Sequence, residues 1–272
     1  MLEINDRDFK RLVTFMKSNY GINLEKKRQL ITGRLSNPVT AKGFRSFTEY
    51  VDYILTDRHP GEIELLINKL TTNYTYFMRE SAHFDFFRDT ILPYFEKTRK
   101  NKVLSIWSAG CSSGQEPYTL SMILKEYFAG KPGWDTRVLA TDISQEVLSK
   151  AHQALYPEES IKDIPPSWRS KYFRPTDSPG VYTVSDEIKN NVIFRTFNLM
   201  DPIKFKLKFD VIFCRNVMIY FDQATKDALV NRFYDATVNG GYLLIGHSEG
   251  LNKAATDYTY LMPATYRKMN KK

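Results

Sequence analysis

The sequence predicts an α/β fold: a parallel sheet covered by helices on both faces, with a small all-α domain before it and a small β insertion within it. Three observations carry this prediction. Apolar, strand-like runs alternate with helical patterns after Lys100, which is typical of a parallel sheet. The residues before Leu70 show helical spacing only. Residues 156–191 interrupt the alternation with prolines and glycines.

The helical domain is expected to span residues 1–72. Its apolar side chains recur three and four residues apart, as in the series Phe9, Leu12, Val13 and Met16, which is the spacing of one helix face. We expect turn-forming residues to divide it into short helices, namely Gly21, Gly33, Pro38, Gly43 and the turn His59-Pro60-Gly61. Residues 73–100, aromatic at first and then helical, are expected to link this domain to the sheet and to begin a ligand pocket.

The sheet domain is expected to cover residues 101–272. Five runs are typical of strands: VLSIWSA, RVLATDI, VIFRTF, FDVIFCRN and GGYLLIGH. Helical patterns between them include PYTLSMILKEYF and DQATKDALVNRFYDAT. The insertion, at about residues 156–191, is expected to contain a hairpin that turns at Ser178-Pro179-Gly180.

Composition indicates a globular protein, and we expect it in the cytoplasm. Of 272 residues, 42% are hydrophobic and 26% charged, which is ordinary for a soluble domain. We find no signal-peptide pattern and no apolar run long enough to span a bilayer. Cys111 and Cys214 have no metal-ligand spacing, so we predict neither a disulfide framework nor a metal site.

The formal net charge of +8 indicates an acidic partner. Six basic residues and no acidic ones lie between residues 26 and 48. They could form a solvated face or a face that docks on an acidic surface. These residues are Lys26, Lys27, Arg28, Arg34, Lys42 and Arg45.

The segment WSAGCSSGQEPYTL joins a strand to a helix through Gly110 and Gly114, and such turns bind ligands in open α/β sheets. Gly110-Cys-Ser-Ser-Gly114 also fits the nucleophile elbow of a hydrolase, with Asp142 and His247 downstream of Ser112. In that elbow a helix follows the serine directly, whereas here the helix is expected to begin at Glu116-Pro117. A dinucleotide site is disfavoured as well, because its glycines are spaced G-x-G-x-x-G and Glu116 would repel a phosphate.

Two carboxylates favour a cationic cofactor without phosphate. Glu116 lies at the start of the helix and suits a positively charged group. Asp142 ends the next predicted strand, where an acid can accept hydrogen bonds from ribose hydroxyls. Together they predict S-adenosylmethionine, which has a ribose, an ammonium and a sulfonium.

Six stretches then carry a resemblance to a known family. In order they are LTTNYTYFMRES, WSAGCSSGQEPYTLSM, ATDIS, FNLMDP, FCRNVMIYFD and GGYLLIGHSEGL. This series resembles the chemotaxis receptor methyltransferases, the CheR family, over essentially the whole chain. The resemblance implies a Rossmann-like class I S-adenosylmethionine-dependent methyltransferase domain behind a helical domain. It also implies an enzyme that methylates glutamate side chains on the cytoplasmic helices of chemoreceptors.

The resemblance assigns roles to individual residues. The segment NYTYFMR matches the family's N-x-T-x-F-F-R, with Met78 where a second Phe is common, and Gln115 stands where Glu is common. The residues expected to bind the cofactor are Asn73, Thr75, Arg79, Gly110, Glu116, Asp142, Asn198, Leu199, Arg215 and Asn216. Those expected to be catalytic are Arg79, as a charge clamp on carboxylates, and Tyr220, which would orient the acceptor oxygen.

Within that set, Asn73, Thr75 and Arg79 should approach the methionine tail and the reacting centre. Glu116 should hold the cofactor ammonium and Asp142 the ribose hydroxyls. The adenine should lie between Asn198 and Leu199, and the methyl-transfer pocket should be lined by Arg215, Asn216 and Tyr220.

The resemblance also bears on partners. The six basic residues would dock on the acidic helical bundle of a receptor. In some family members the β insertion binds a tethering peptide at the receptor C-terminus, and the sequence leaves open whether this one does. The alternative function is a nucleic acid methyltransferase, but CRNVMIY stands where that class would have a motif such as Asn-Pro-Pro-Tyr. An adaptor that binds the cofactor without catalysis stays open.

Overall fold

The computed structural model describes residues 2–57 and 59–269. Four helices come first: α1 (Asp6–Tyr20), α2 (Arg28–Ala41), α3 (Phe47–Asp57) and α4 (Pro60–Leu70). Local signals fix the ends of α1, because the Asn5 side chain caps its first turn and Gly21 ends it with a left-handed φ of 71°. Their apolar faces form a core of their own, which includes Leu12, Met16 and Tyr50.

Two of the expected helix breaks are wrong. Gly33 and Pro38 both lie inside α2, which runs unbroken to Ala41. Glycine costs only about 1 kcal/mol inside a helix. Proline removes one intrahelical hydrogen bond, and here that loss falls in the last turn, where buried Leu35 and Val39 hold the helix against the core.

The segment after α4 is a loop followed by helix α5 (Ser81–Phe86), a π-helical turn (Phe87–Ile91) and helix α6 (Leu92–Thr98). Phe84, Phe87, Leu92 and Phe95 are buried in the core of the sheet domain. This segment is therefore packed as part of that domain rather than as a free linker.

The sheet domain alternates strands and helices as predicted. Its main elements are β1 (Ile106–Ala109), α7 (Gln115–Tyr127), β2 (Val138–Asp142), α8 (Gln145–Gln153), β6 (Val192–Thr196), β7 (Phe209–Cys214), a 3₁₀ turn (Met218–Tyr220), α12 (Gln223–Ala236) and β8 (Thr237–Ile245). All five predicted strand runs contain a strand. Every residue of the central strand β7 is buried, as expected for a strand covered on both faces.

The insertion contains β3 (Leu155–Pro157), α9 (Glu158–Ile161), α10 (Pro166–Tyr172), β4 (Phe173–Pro175), β5 (Val181–Val184) and α11 (Asp186–Lys189). Its strands form a separate antiparallel sheet in the order β3-β5-β4. The predicted hairpin is the β4–β5 connection. The Tyr156 hydroxyl donates to the Ser113 carbonyl at 2.6 Å, which ties the insertion to the loop after β1.

The seven strands of the main sheet are ordered β6-β2-β1-β7-β8-β10-β9. The first five are parallel, but β9 (Thr259–Met262) and β10 (Thr265–Arg267) form an antiparallel hairpin at the edge. The sheet is therefore mixed, which corrects the expectation of a parallel sheet. The chain proceeds from β1 to β2 on one side, while β7 lies on the other side of β1. A crevice at such a switch point, outside the carboxyl ends of the strands, is where open α/β sheets bind ligands.

Candidate functional site

A deep pocket lies at the carboxyl ends of β1, β2 and β7. It is a cavity of about 110 Å³, and small molecules and cofactors bind in such concave sites. The pocket brings together every residue that the sequence singled out as a cofactor-binding or catalytic candidate: Asn73, Thr75, Arg79, Gly110, Glu116, Asp142, Asn198, Leu199, Arg215, Asn216 and Tyr220.

The loop after β1 is built to approach β2 and the pocket closely. Gly110 has a φ of 85°, and a Cβ there would lie 2.3 Å from Val217 Cγ2, so only glycine fits. The amide of Ser112 donates to Asp142 Oδ2 at 2.8 Å, and the amide of Ser144 donates to Asp142 Oδ1 at 3.0 Å. These two hydrogen bonds fix the plane of the Asp142 carboxylate beside the pocket.

Two features of its surroundings shift the pKa of Asp142 in opposite directions. Burial raises the pKa of Asp142, while hydrogen bonds from the backbone amides of Ser144, Ser112 and Ile143 oppose that rise, and the net shift is upward. A carboxylate that is partly removed from water accepts hydrogen bonds from a ligand more strongly than an exposed one.

Ser112 is not arranged as a nucleophile. Its hydroxyl donates to the Asn73 carbonyl at 2.8 Å, and the described residues that line the pocket include no histidine. A serine nucleophile needs a base within hydrogen-bond reach. The hydrolase alternative therefore has no support in the structure.

Arg215, which lines the pocket, links the carboxylate of Glu116 in the pocket to that of Glu80. Its side chain is 2% exposed, with Nη1 3.1 Å from Glu116 Oε2 and Nη2 3.2 Å from Glu80 Oε2. Ser108 donates a further hydrogen bond to Glu116 Oε1 at 2.7 Å. Burial alone would raise the pKa of Glu80, but the charge of Arg215 and hydrogen bonds from the His247 amide, Arg215 and Asn216 outweigh it and lower that pKa. The sequence motifs did not assign Glu80 to the site, although it follows Arg79 directly.

A second cluster lies behind Glu80. Among the described residues, Glu80, His83 and His247 place one candidate metal-ligand atom each within 4.8 Å of one another. The Arg215 guanidinium, however, lies against the same Glu80 carboxylate, and its positive charge would repel a bound cation. We assign no metal to this cluster.

Glu249 fixes the backbone that presents Arg215 and Asn216. Its carboxylate accepts hydrogen bonds from the amides of Gly246 at 2.6 Å, Asn216 at 2.9 Å and Ile219 at 3.1 Å. Asn216 has a φ of 60°, a conformation that costs most residues about 1 kcal/mol or more. Glu249 lies in the GHSEGL stretch, so its motif was noted in the sequence while its role was missed.

The helical domain closes the pocket. Tyr20 and Ile22 line it, although no sequence pattern indicated them. The Tyr220 hydroxyl donates to the Thr72 carbonyl at 2.9 Å and accepts from the Thr72 amide at 3.2 Å. Gly21 permits the close approach, because a Cβ there would lie 2.7 Å from Met200 Sδ.

The amide of Asn198 is also used between the domains. Its Nδ2 donates to the Asn19 carbonyl at 2.7 Å, and its Oδ1 accepts from the Met200 amide at 3.0 Å. Both ends of the side chain are therefore engaged with the backbone. Its Nδ2 keeps a second N–H and its Oδ1 a second lone pair, and Leu199 and Phe197, which also line the pocket, add apolar area.

The basic residues do not share one helix face. Lys26 and Lys27 precede α2, and Arg45 follows it, so a helix about 21 Å long, at a rise of 1.5 Å per residue, stands between them in the chain. The other three bind within the domain: Arg28 pairs with Asp6, Lys42 pairs with Glu62, and Arg34 donates to the carbonyls of Lys69 and Thr71. The docking role expected for these six residues stays a prediction.

The donor set fits S-adenosylmethionine. Carboxylates of Glu116 and Asp142 suit an ammonium and ribose hydroxyls, and apolar side chains suit an adenine. Asn216 Nδ2 donates to Glu80 at 3.3 Å, which leaves Asn216 Oδ1 buried and without a partner among the described residues. A buried acceptor beside a pocket requires a donor, and an ammonium supplies one.

Comparison with known proteins identifies the family. The model described as CheR methyltransferase, all-alpha domain, matches residues 7–71, and the model described as CheR methyltransferase, SAM binding domain, matches residues 73–267. The chain belongs to the CheR methyltransferase family. This CheR family member is an S-adenosylmethionine-dependent methyltransferase, and S-adenosylmethionine is its cofactor.

Relatives extend over nearly the full chain. The chemotaxis protein methyltransferase of Borreliella burgdorferi is 44% identical over 275 residues, covering 98% of this chain and 96% of the relative. That of Escherichia coli is 35% identical, covering 95% of this chain and 89% of the relative. A probable chemotaxis protein methyltransferase of Rhizobium etli is 36% identical, covering 88% and 90%. These relatives do not favour the nucleic acid methyltransferase alternative. No helix among the described residues is long and apolar enough to cross a membrane.

Proposed function

We propose that this CheR family member transfers the methyl group of S-adenosylmethionine to glutamate side chains of chemoreceptors, forming glutamate methyl esters for sensory adaptation. The observation that carries the proposal is the match along 98% of the chain to a relative named a chemotaxis protein methyltransferase. The pocket supports it, because its residues suit the cofactor and its mouth is open to a macromolecular acceptor.

The proposed contacts follow from the chemistry of the lining residues. Asp142 holds the ribose hydroxyls, and Glu116 holds the ammonium together with the free Asn216 Oδ1. Asn73, Thr75 and Arg79 lie along the methionine tail, Gly110 lets the loop backbone approach it, and Arg215 pairs with Glu116. Asn198 and Leu199 flank the adenine.

The acceptor requires no general base. A glutamate side chain has an unperturbed pKa of about 4.3 and is ionised at neutral pH. The cofactor supplies an activated methyl on a sulfonium. The protein must then hold the acceptor carboxylate in line and exclude water from it.

Arg79 and Tyr220 are the proposed catalytic residues. Arg79 uses Nη1 to hold the Tyr74 carbonyl at 2.9 Å, which leaves other guanidinium N–H groups for the acceptor carboxylate. The Tyr220 hydroxyl donates its proton to the Thr72 carbonyl and has no second proton to donate to the acceptor carboxylate. It would therefore orient that carboxylate only through a bridging group that donates a hydrogen bond to both. We therefore propose for Tyr220 mainly the closure of the pocket wall.

The partners are proposed on charge and topology. Lys26, Lys27 and Arg45 are exposed and would attract the acidic helical bundle of a receptor, an effect that weakens with salt. The edge strands β3 and β4 of the insertion could pair with an extended tether peptide by strand addition. Both events would occur in the cytoplasm.

The decisive experiment is transfer of a radiolabelled methyl group from S-adenosylmethionine to cytoplasmic receptor fragments. We expect alkali-labile label, as for a methyl ester, in fragments with their glutamates intact and none when the acceptors are changed to alanine. If the protein binds the cofactor and labels DNA or RNA but no receptor fragment, the proposal is wrong and the nucleic acid alternative replaces it.

A further inference from the structure

The carboxylate of Glu80 joins three segments beside the pocket, although Glu80 is not one of the described residues that line it. Its Oε2 lies 3.2 Å from Arg215 Nη2, and its Oε1 accepts a hydrogen bond from Asn216 Nδ2 at 3.3 Å. The amide of His247 donates to both oxygens at 3.3 Å. Glu80 therefore connects the start of α5 to the residues that follow β7 and β8.

The backbone at Glu80 is unusual for this residue type. Its φ is 55°, in the left-handed region, which is unfavourable for a residue with a Cβ and is adopted mainly by glycine, asparagine and aspartate. The side chain nevertheless lies where a guanidinium and two N–H donors meet. Such a conformation persists where surrounding contacts hold it, and the contacts of this carboxylate are of that kind.

The carboxylate of Glu80 also determines how the Asn216 amide is oriented. An ionised carboxylate only accepts hydrogen bonds, so it faces the NH₂ end of an amide rather than the oxygen. Although burial would raise it, the pKa of Glu80 is lowered by the Arg215 charge and by hydrogen bonds, so the group is ionised at neutral pH. A Cβ at Gly246 would lie 2.5 Å from Asn216 Nδ2, so this end of the amide packs against the chain after β8. The other end, Oδ1, is buried and has no partner among the described residues.

We propose that Glu80 is a positioning residue for the cofactor tail: by holding Asn216 Nδ2, it keeps Asn216 Oδ1 available as an acceptor for the ammonium of S-adenosylmethionine. The inference rests on the ammonium contact of the proposed function. Asn216 lines the pocket and Glu80 does not, so Glu80 acts through Asn216. Loss of the Glu80 charge should therefore weaken the binding of ligands that carry an ammonium and spare ligands that have only the nucleoside part.

The experiment compares S-adenosylhomocysteine with 5′-methylthioadenosine, which has the same adenine, ribose and sulfur but lacks the amino acid tail. The Kd of each ligand is measured by isothermal titration calorimetry for wild type, Glu80→Gln and the control Glu62→Gln. The Glu62 carboxylate is 10% exposed against 14% for Glu80, and it pairs with Lys42 inside the helical domain. We expect Glu80→Gln to raise the Kd for S-adenosylhomocysteine about tenfold, the effect of losing one hydrogen bond that involves a charged group. The Kd for 5′-methylthioadenosine should change by less than about twofold, and Glu62→Gln should match wild type for both ligands.

A double variant tests the route through Asn216. In Glu80→Gln/Asn216→Asp the amide and the carboxylate exchange places, and the net charge stays that of wild type. The new amide can donate to the new carboxylate, whose second oxygen faces the ammonium, and aspartate tolerates the left-handed backbone at position 216. We expect the double variant to recover the preference for S-adenosylhomocysteine, whereas Asn216→Asp alone places two carboxylates together and should not. If Glu80→Gln does not fold, the double variant still tests the proposal.

Each outcome has one meaning. A wild-type preference for S-adenosylhomocysteine in Glu80→Gln, an equal loss of both ligands, or a folded double variant without the preference would overturn the proposal. If wild type itself binds the two ligands equally, the ammonium contact of the proposed function is wrong and this inference fails with it. Failure of methyl transfer to receptor fragments would count against the proposed acceptor only, because the present experiment measures cofactor binding.

Discussion

The sharpest test of the cofactor site is Asp142→Asn. This change keeps the shape of the side chain and removes its charge. In the structure both carboxylate oxygens already accept backbone hydrogen bonds, from Ser112 and Ser144, and their remaining lone pairs are free for ribose hydroxyls. An amide offers one oxygen and one NH₂ group, so an NH₂ group must face either a backbone N–H or the ribose.

The expected magnitude follows from this exchange. A hydrogen bond to a charged group contributes about 1.5–3 kcal/mol, and about 1.4 kcal/mol corresponds to a tenfold change in affinity. We therefore expect the Kd for S-adenosylmethionine to rise about 10- to 100-fold. The free energy of unfolding should fall by about 1–3 kcal/mol, because one buried backbone N–H loses its acceptor.

Isothermal titration calorimetry with S-adenosylmethionine and S-adenosylhomocysteine, together with urea unfolding, measures both quantities. Asp142→Ala removes the whole carboxylate group and should weaken cofactor binding further. Asp186→Asn is the matched control, since that carboxylate on α11 is exposed and pairs with Lys189, and it should leave cofactor affinity unchanged. A Kd within threefold of wild type in Asp142→Asn would refute the assignment of this residue to the ribose.

Three further predictions concern the surrounding groups. Arg79→Ala should lower kcat for receptor methylation at least about tenfold and also weaken cofactor binding, because we propose that Arg79 lies along the methionine tail, and turnover within a few-fold of wild type with unchanged cofactor Kd would remove the clamp role. Glu249→Gln should lower the free energy of unfolding by about 1–3 kcal/mol and also kcat, because the amides of Gly246, Asn216 and Ile219 lose charged acceptors; unchanged urea unfolding would contradict this. Burial lowers the pKa of His83 to about 4 from 6.5, so the unfolded chain binds a proton there first and stability should fall by up to about 3 kcal/mol as pH drops from 6.5 to 4. In His83→Leu, urea unfolding across this range should show a smaller fall, and an equal fall would exclude His83 as its source.

The sequence predicted those parts of the fold that depend on short-range pattern. Strand β7 is buried on both faces and is continuously apolar, and the helical domain repeats at three and four residues. The hairpin of β9 and β10 was missed, because β9 is four residues of mostly exposed side chains with no alternation. β10 pairs with β8 and β9 pairs with β10, and these pairings across the fold leave no local signal.

The residues of the site likewise divide into those that local pattern could assign and those that depend on tertiary packing. Glu116 and Asp142 could be assigned from their positions at the ends of a loop and a strand. The contact of Arg215 with Glu80, 135 residues away, and the entry of Tyr20 and Ile22 into the pocket depend on how separate elements pack. Motif order identified Arg215 as a site residue, while its function as a counter-charge emerged only from the geometry.

That counter-charge joins two acidic groups at the pocket. Arg215 Nη1 lies 3.1 Å from Glu116 Oε2 and Nη2 lies 3.2 Å from Glu80 Oε2, and each carboxylate is only 14% exposed. Two carboxylates removed from water would repel each other if no cation stood beside them. The charge of Arg215 offsets that repulsion and, with hydrogen bonds from the His247 amide and Asn216, lowers the pKa of Glu80 against the effect of burial. The acidic wall that we propose for the cofactor ammonium is thus organised around a basic residue, inside a protein whose overall charge is +8.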